Sequence, residues 1–218
     1  MARQIRYVEA GRVDYRQGLA LQQAYHDEVR EGAKPVLLSL EHDPVYTLGR
    51  RDAPDQFMAD QPDDIPVIKT DRGGEITYHG PGQAVLYVIL RLTPWRLTLP
   101  VLVGWMEEAI IRTADQWGFE AQRREGWRGV FVGPHKLASI GLAVHHDVTM
   151  HGLALNVSND LEPFSRIHPC GLPIEMCSLH SLGAEDAQRP AVAAGMAEVL
   201  AGLLRAELIP TPGASPER

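Results

Sequence analysis

Hydrophobic and polar positions along this chain alternate in short runs typical of strands, interrupted by three stretches with helical spacing. Residues 4–15 set Ile5, Tyr7, Val13 and Tyr15 in strand-like alternation, predicting a first strand or strand pair. Residues 17–30 place Leu21, Tyr25 and Val29 four apart, which is one face of an amphipathic helix. The apolar run 35–41 (PVLLSLE) predicts a buried strand, which His42-Asp43-Pro44 breaks and residues 45–48 resume. Residues 67–70 feed a glycine-rich stretch, and 84–92 (AVLYVILRL) follow with the β-branched and aromatic content that a sheet interior selects. A helix over 101–117 carries Leu102, Trp105, Met106, Ala109, Ile110 and Trp117 as one stripe, with Gly118 as its stop. Its tryptophans are assigned to the core. Three more strands are expected at 129–132, 137–145 and 148–157, and a last helix runs over 190–203 behind Pro190.

Between these elements, residues 53–66 are rich in proline and aspartate and read as a long surface loop, either a lid, a partner contact or a plain connection. Residues 159–168 are loop-like, 169–173 a tight segment, and 175–182 short and structured. The expected organisation is one domain over 1–208 with a flexible tail at 209–218. Mixed strands with three helices predict an α+β fold, a mixed β-sheet carrying its packed helices mainly on one side.

Composition narrows the partners. A net charge of −7 argues against general nucleic-acid binding, which requires a basic footprint. Arg50-Arg51 and Arg123, Arg124 and Arg128 remain as local basic clusters able to meet an acidic partner. The N-terminal residues lack an apolar signal core, and no stretch approaches the roughly 20 apolar residues of a membrane span, so a cytoplasmic protein is expected. Its two cysteines, Cys170 and Cys177, suit a reducing compartment.

Candidate chemistry gathers at three places. Residues 72–83 (RGGEITYHGPGQ) are too polar and glycine-rich for core and read as a ligand-holding strand and turn, with Glu75, Thr77 and His79 on one face. A hairpin with ordinary turn glycines is the alternative. Cys170 stands between Pro169 and Gly171, so its thiol is presented, and it becomes a strong nucleophile once ionised. Cys177, in apolar surroundings, is the inert candidate. Lys136, in GPHKLASIG, is the notable cation. An ammonium 4 Å from a thiolate is worth about 4 kcal/mol at an effective dielectric near 20, and a third of that lowers the thiol pKa by about one unit. His145, His146 and His151 do not match a compact zinc pattern, and neither a GxSxG elbow nor a phosphate-binding P-loop occurs.

The motifs RGGEITYHGPGQ (72–83), EHDPVYTLGR (41–50), KLASIG (136–141), HGLALNVSNDL (151–161) and PCG (169–171) occur in a chain that resembles the octanoyltransferase family of lipoate biosynthesis. The resemblance extends over residues 35–183. It implies the fold of the biotin and lipoate protein ligases. It also implies transfer of an octanoyl group from octanoyl acyl carrier protein to a lysine of lipoyl domains, in 2-oxoacid dehydrogenase complexes and the glycine cleavage H protein. By the same resemblance Cys170 is the acyl-thioester nucleophile, and Lys136 lowers its pKa and exchanges protons. The acyl-substrate site falls on Arg72, Gly73, Gly74, Glu75, Ile76, Thr77, Tyr78 and His79, on Ser139, Ile140 and Gly141, and on Gly152, Leu153 and Ala154. No cofactor and no metal are implied. An ATP-dependent lipoate or biotin ligase on the same fold, or a non-catalytic acyl-binding domain, are the rival readings. The cysteine in PCG and the absence of a GRGRxxR loop weigh against the ligase.

Overall fold

The computed structural model describes residues 3–51, 57, 64–167 and 174–211. Its first strands are β1 (Arg3–Val13), β2 (Val36–His42), β3 (Val45–Leu48), β4 (Val67–Lys69), β5 (Thr77–His79) and β6 (Gln83–Ile89). They are followed by β7 (Ala121–Gln122), β8 (Val130–Val132), β9 (His135–His145), β10 (Val148–Asn156) and β11 (Ala206–Thr211). The helices are α1 (Tyr15–Arg30), α2 (Leu92–Trp95), α3 (Leu99–Gln116) and α4 (Arg189–Leu203). Eight strands form a mixed sheet in the order β11-β1-β2-β6-β10-β9-β8-β7, and β4-β3-β5 form a second, small sheet. The β11, β1 and β2 ladders are parallel, and those from β2 through β6, β10, β9 and β8 to β7 are antiparallel.

The central strand β6 is buried along its whole length. Leu86 and Val88 pack with Leu102 and Met106 of α3 and Met196 and Leu200 of α4, while Val85, Tyr87 and Ile89 pack with Tyr25 and Val29 of α1. A strand covered on both faces reads as a continuous apolar run, which is why 84–90 shows no alternation. The expectation of helices mainly on one side is therefore corrected. A sheet apolar on both faces must be covered on both, and α1 covers the face opposite α3 and α4.

Element ends follow local chemistry. Helix α1 starts two residues before its expected onset because Asp14 accepts the N–H groups of Arg16 and Gln17 while Gln17 Oε1 accepts that of Asp14, a capping box. Helix α3 ends before Gly118, which adopts φ +83°. Residues 209–211, expected in the flexible tail, instead complete β11 beside β1, with Pro210 opposite Tyr7. Proline is tolerated there because β11 is the outermost strand of the sheet. Of the 53–66 loop only residues 57 and 64–66 are described. Phe57 forms a backbone bridge with Ile167 and packs its ring edge-on against Tyr46. Within 159–168 a short 3-10 helix spans Glu162–Arg166.

Candidate active site

A cavity of about 410 Å³ lies on the α1 face of the large sheet, walled by residues of β5, β6, β9 and β10 and by Tyr15 of α1. Ile76, Val85, Ile140, Leu153, Phe164 and Met176 give it apolar surface; Glu75, Thr77, His79, Lys136, Ser139 and His151 add polar groups. Such a wall suits an apolar chain, since each buried methylene contributes about 0.8 kcal/mol.

Lys136 lines the cavity and is 5% exposed. Its backbone is strapped to the segment that follows the PCG motif. The Lys136 N–H donates to Glu175 O, and the Cys177 N–H donates to Lys136 O, each at 2.9 Å. Lys136 and Met176 thus form a parallel bridge. Cys170, the expected nucleophile, lies outside the described residues. Cys177 is buried, and that burial pushes its thiol up to about 11, as expected of an inert cysteine.

Arg72 is 8% exposed, and its guanidinium is bonded to protein. Nη2 donates to Thr47 O at 2.6 Å and to Thr47 Oγ1 at 2.8 Å, Nε to Thr47 Oγ1 at 3.2 Å, and Nη1 to Gly73 O at 3.2 Å. Burial lowers its pKa from the usual arginine value. Arg72 therefore ties the glycine-rich segment to β3, and Gly73 N–H ties it to Leu142 O of β9 at 2.9 Å.

Four aromatic polar side chains stack around one corner: Tyr15, His42, His79 and Tyr87. His42 Nδ1 faces Val13 O, which only accepts, so Nδ1 carries the proton and Nε2 accepts from Tyr87 Oη at 2.6 Å. Burial holds His42 down to about 4. Burial, joined by repulsion from His42, holds His79 to about 3. Burial also pushes Tyr15 up to about 12 and Tyr87 well above its ordinary value. These rings are neutral at physiological pH. From His79 a chain of bonds with one direction leads to the lysine strand. His79 Nδ1 donates to Gln83 Oε1 (2.7 Å), Gln83 Nε2 to Asn156 Oδ1 (2.9 Å), and Asn156 Nδ2 to Cys177 O (3.0 Å), whose N–H reaches Lys136 O.

The structure gathers most of the expected site. Arg72, Gly74, Glu75, Ile76, Thr77, His79, Lys136, Ser139, Ile140, Gly141, Gly152, Leu153 and Ala154 all line the cavity. Two do not. Tyr78 points to the other face of β5 and packs with Tyr46 and Phe164, as strand alternation requires, and Gly73 is taken up by its contact with β9. A Cβ on Gly152 would come within 2.0 Å of Leu86 O, so its bareness also serves the pairing of β10 with β6. Tyr15, Tyr87 and His151 also line the cavity and were not anticipated. For Tyr87 the signal was a phenol inside the most apolar strand, since a buried hydroxyl needs a partner. Of the arginine clusters, Arg51 and Arg128 line the cavity, whereas Arg123 pairs with Glu107 and Glu108, and Arg124 lies over Phe131 and donates to Gly133 O. Among the described residues no three His, Cys, Asp or Glu side chains form a metal-ligand set, and no helix is long and apolar enough to cross a membrane.

A mixed sheet with helices on both faces is a fold shared with lipoate and biotin protein ligases. A lipoate-protein ligase A structure bound with ATP superposes with TM-score 0.79 at 17% identity, covering 98% of this chain and 90% of that one. Biotin protein ligase from Aquifex aeolicus, in complex with biotin and ATP, gives 0.57 at 12% identity, covering 91% and 70%. These likenesses concern the fold alone. Sequence goes further. The family described as lipoyl protein ligase A/B catalytic domain matches residues 14–201. An octanoyltransferase of Alkalilimnicola ehrlichii is 43% identical over 83% of this chain and 82% of its own length, and a probable octanoyltransferase of Pyrobaculum arsenaticum is 42% identical over 80% and 81%. The chain belongs to the lipoyl protein ligase A/B catalytic domain family, among its octanoyltransferases.

Proposed function

We propose that this chain moves an octanoyl group from octanoyl acyl carrier protein to the ε-amine of a lipoyl-domain lysine through a thioester on Cys170. The acceptors are the lipoyl domains of 2-oxoacid dehydrogenase complexes and the glycine cleavage H protein, and the reaction runs in the cytoplasm. The observation that carries the reading is Lys136. This lysine lines the acyl-sized cavity almost fully buried, and its backbone is bonded on both sides to residues 175 and 177, just beyond the PCG motif. An ammonium in that setting favours the thiolate of a nearby cysteine.

In the first half-reaction the Cys170 thiolate attacks the carrier thioester. The carrier thiolate leaves and takes a proton from Lys136, leaving octanoyl-Cys170 and a neutral amine. In the second, the acceptor lysine attacks the thioester carbonyl, and Cys170 leaves as thiolate. Lys136 regains its proton in that step. Arg51 and Arg128 at the cavity offer positive charge to the acidic carrier. Intact-protein mass spectrometry after mixing with octanoyl acyl carrier protein, without ATP, tests this. One octanoyl mass is gained by the native chain, none by Cys170→Ala, and much less by Lys136→Ala. A native chain that stays unmodified, or an adduct that persists in Cys170→Ala, overturns the reading.

A further inference from the structure

The proton inventory of this chemistry does not close on Cys170 and Lys136 alone. The acceptor lysine arrives as an ammonium, because its ordinary pKa is about 10.4. It must lose one proton before it attacks and a second as the amide forms. Lys136, left neutral by the first half-reaction, takes one, and the departing Cys170 thiolate completes the resting ion pair. One proton per turnover is left over.

We propose that His151, oriented by Asp71, accepts that second proton at Nδ1. His151 lines the cavity and is 2% exposed. Its Nε2 lies 2.8 Å from Asp71 Oδ1, so the carboxylate fixes the proton on Nε2 and leaves a lone pair on Nδ1. Nδ1 is buried and has no hydrogen-bond partner among the described residues. Such a nitrogen costs stability unless a ligand completes it. The backbone points the same way: His151 sits inside β10 at φ +63°, an uncommon conformation for a residue with a side chain, held by a 2.7 Å bond from its N–H to Gln22 Oε1.

Among the described residues, the other groups facing the cavity are poorer acceptors. His79 donates through Nδ1, and its burial disfavours the charged ring. Tyr15 and Tyr87 hold their phenolic protons, and Tyr87 meets the His151 ring edge-on. Arg72 has no lone pair, Lys136 is already used, and Glu75 is a carboxylate, intrinsically a weaker base than imidazole. Asp71 also pairs with His145 Nε2, and both of those side chains are 45% exposed. The imidazolium formed on His151 is thus stabilised by a carboxylate that reaches solvent, where the proton is finally released. The balanced sum is octanoyl thioester plus ammonium giving carrier thiol, amide and one proton.

This assignment rests on the thioester route above, so the experiment follows the two half-reactions separately. Octanoyl-enzyme formation from octanoyl acyl carrier protein is timed first, then its consumption by a lipoyl-domain protein, across pH 5.5–9 by rapid quench. His151→Asn keeps a residue that tolerates positive φ while moving the acceptor out of place. It is expected to slow the second step by about a hundredfold, well beyond any loss in the first. Asp71→Asn, at a half-exposed position, can donate to Nε2 and so move the ring proton to Nδ1. It is expected to slow the second step at least about tenfold, beyond any loss in the first, and to shift the pH profile of the second step. Equal loss in both steps, or an unchanged second step and pH profile, overturns the role of His151. If His151→Asn does not fold, Asp71→Asn decides by the same readings. A native chain that forms no octanoyl-enzyme fails the thioester route itself, and leaves His151 no proton to take.

Discussion

The Cys177 N–H donates to the Lys136 carbonyl at 2.9 Å, so the cysteine whose backbone touches the lysine strand is the structural one. Its thiol, buried and pushed up to about 11, is about one part in ten thousand thiolate at pH 7. Cys177→Ala is expected to keep acyl transfer within a few-fold and to lose about 1 kcal/mol of stability. Iodoacetamide at pH 7, followed by peptide mapping, should label Cys170 and spare Cys177.

Arg72 is expected to matter for the fold before it matters for substrate. Its fork makes bonds to both Thr47 acceptors and to Gly73 O that a lysine ammonium cannot reproduce. Arg72→Lys should cost about 3 kcal/mol in urea denaturation, because buried acceptors lose charged donors.

Gly129 guards the lysine. It has φ +109°, and a Cβ there would stand 2.9 Å from Lys136 Cε and 2.2 Å from Ala138 O. Gly129→Ala should lose about 1–3 kcal/mol from backbone strain. Because it also displaces the lysine, octanoyl-enzyme formation should fall by more than the fraction unfolded; a loss matched by unfolding alone would separate Gly129 from Lys136.

Buried His42 and His79 make stability depend on pH. Unfolded histidines bind protons below about pH 6.5. Folded His42 and His79 resist until about 4 and about 3, chiefly because burial penalises the charged ring. Between those values the unfolded chain holds more protons, so stability is full above about pH 6.5 and falls as pH drops. The slope is up to about 1.4 kcal/mol per pH unit for each ring. Denaturation midpoints between pH 4 and 7 should show this slope, and His79→Gln should flatten it by one ring's share.

Arg128 is exposed at the cavity. Arg128→Glu should slow octanoyl-enzyme formation from the acidic carrier at low salt, with the deficit shrinking as salt rises. Stopped-flow rates at two ionic strengths check this, and a salt-independent deficit would remove Arg128 from carrier recognition.

Much of this was legible because it is local. The apolar run 84–92 marked the buried strand that the fold ends at Ile89, and the 101–117 stripe marked the helix that stops before Gly118. Residues 72–83 stood out as too polar and glycine-rich for core, and 139–141 and 152–154 came from the family resemblance. The reading of 209–211 as tail failed because the prolines around them look like a tail. Only pairing with β1 makes an edge strand of 206–211.

What the sequence determined by itself is therefore periodicity, turn chemistry and the identity of groups able to react. Those follow from residue type and spacing within a few positions of the chain. What only the tertiary structure decided is which groups meet. Asp71, His145 and His151 join three segments, Gln22 reaches β10 from α1, and a side chain on Gly152 would meet the backbone of β6. Hydrogen bonds act over about 3 Å, and no spacing along a chain reports which distant residues the fold brings that close.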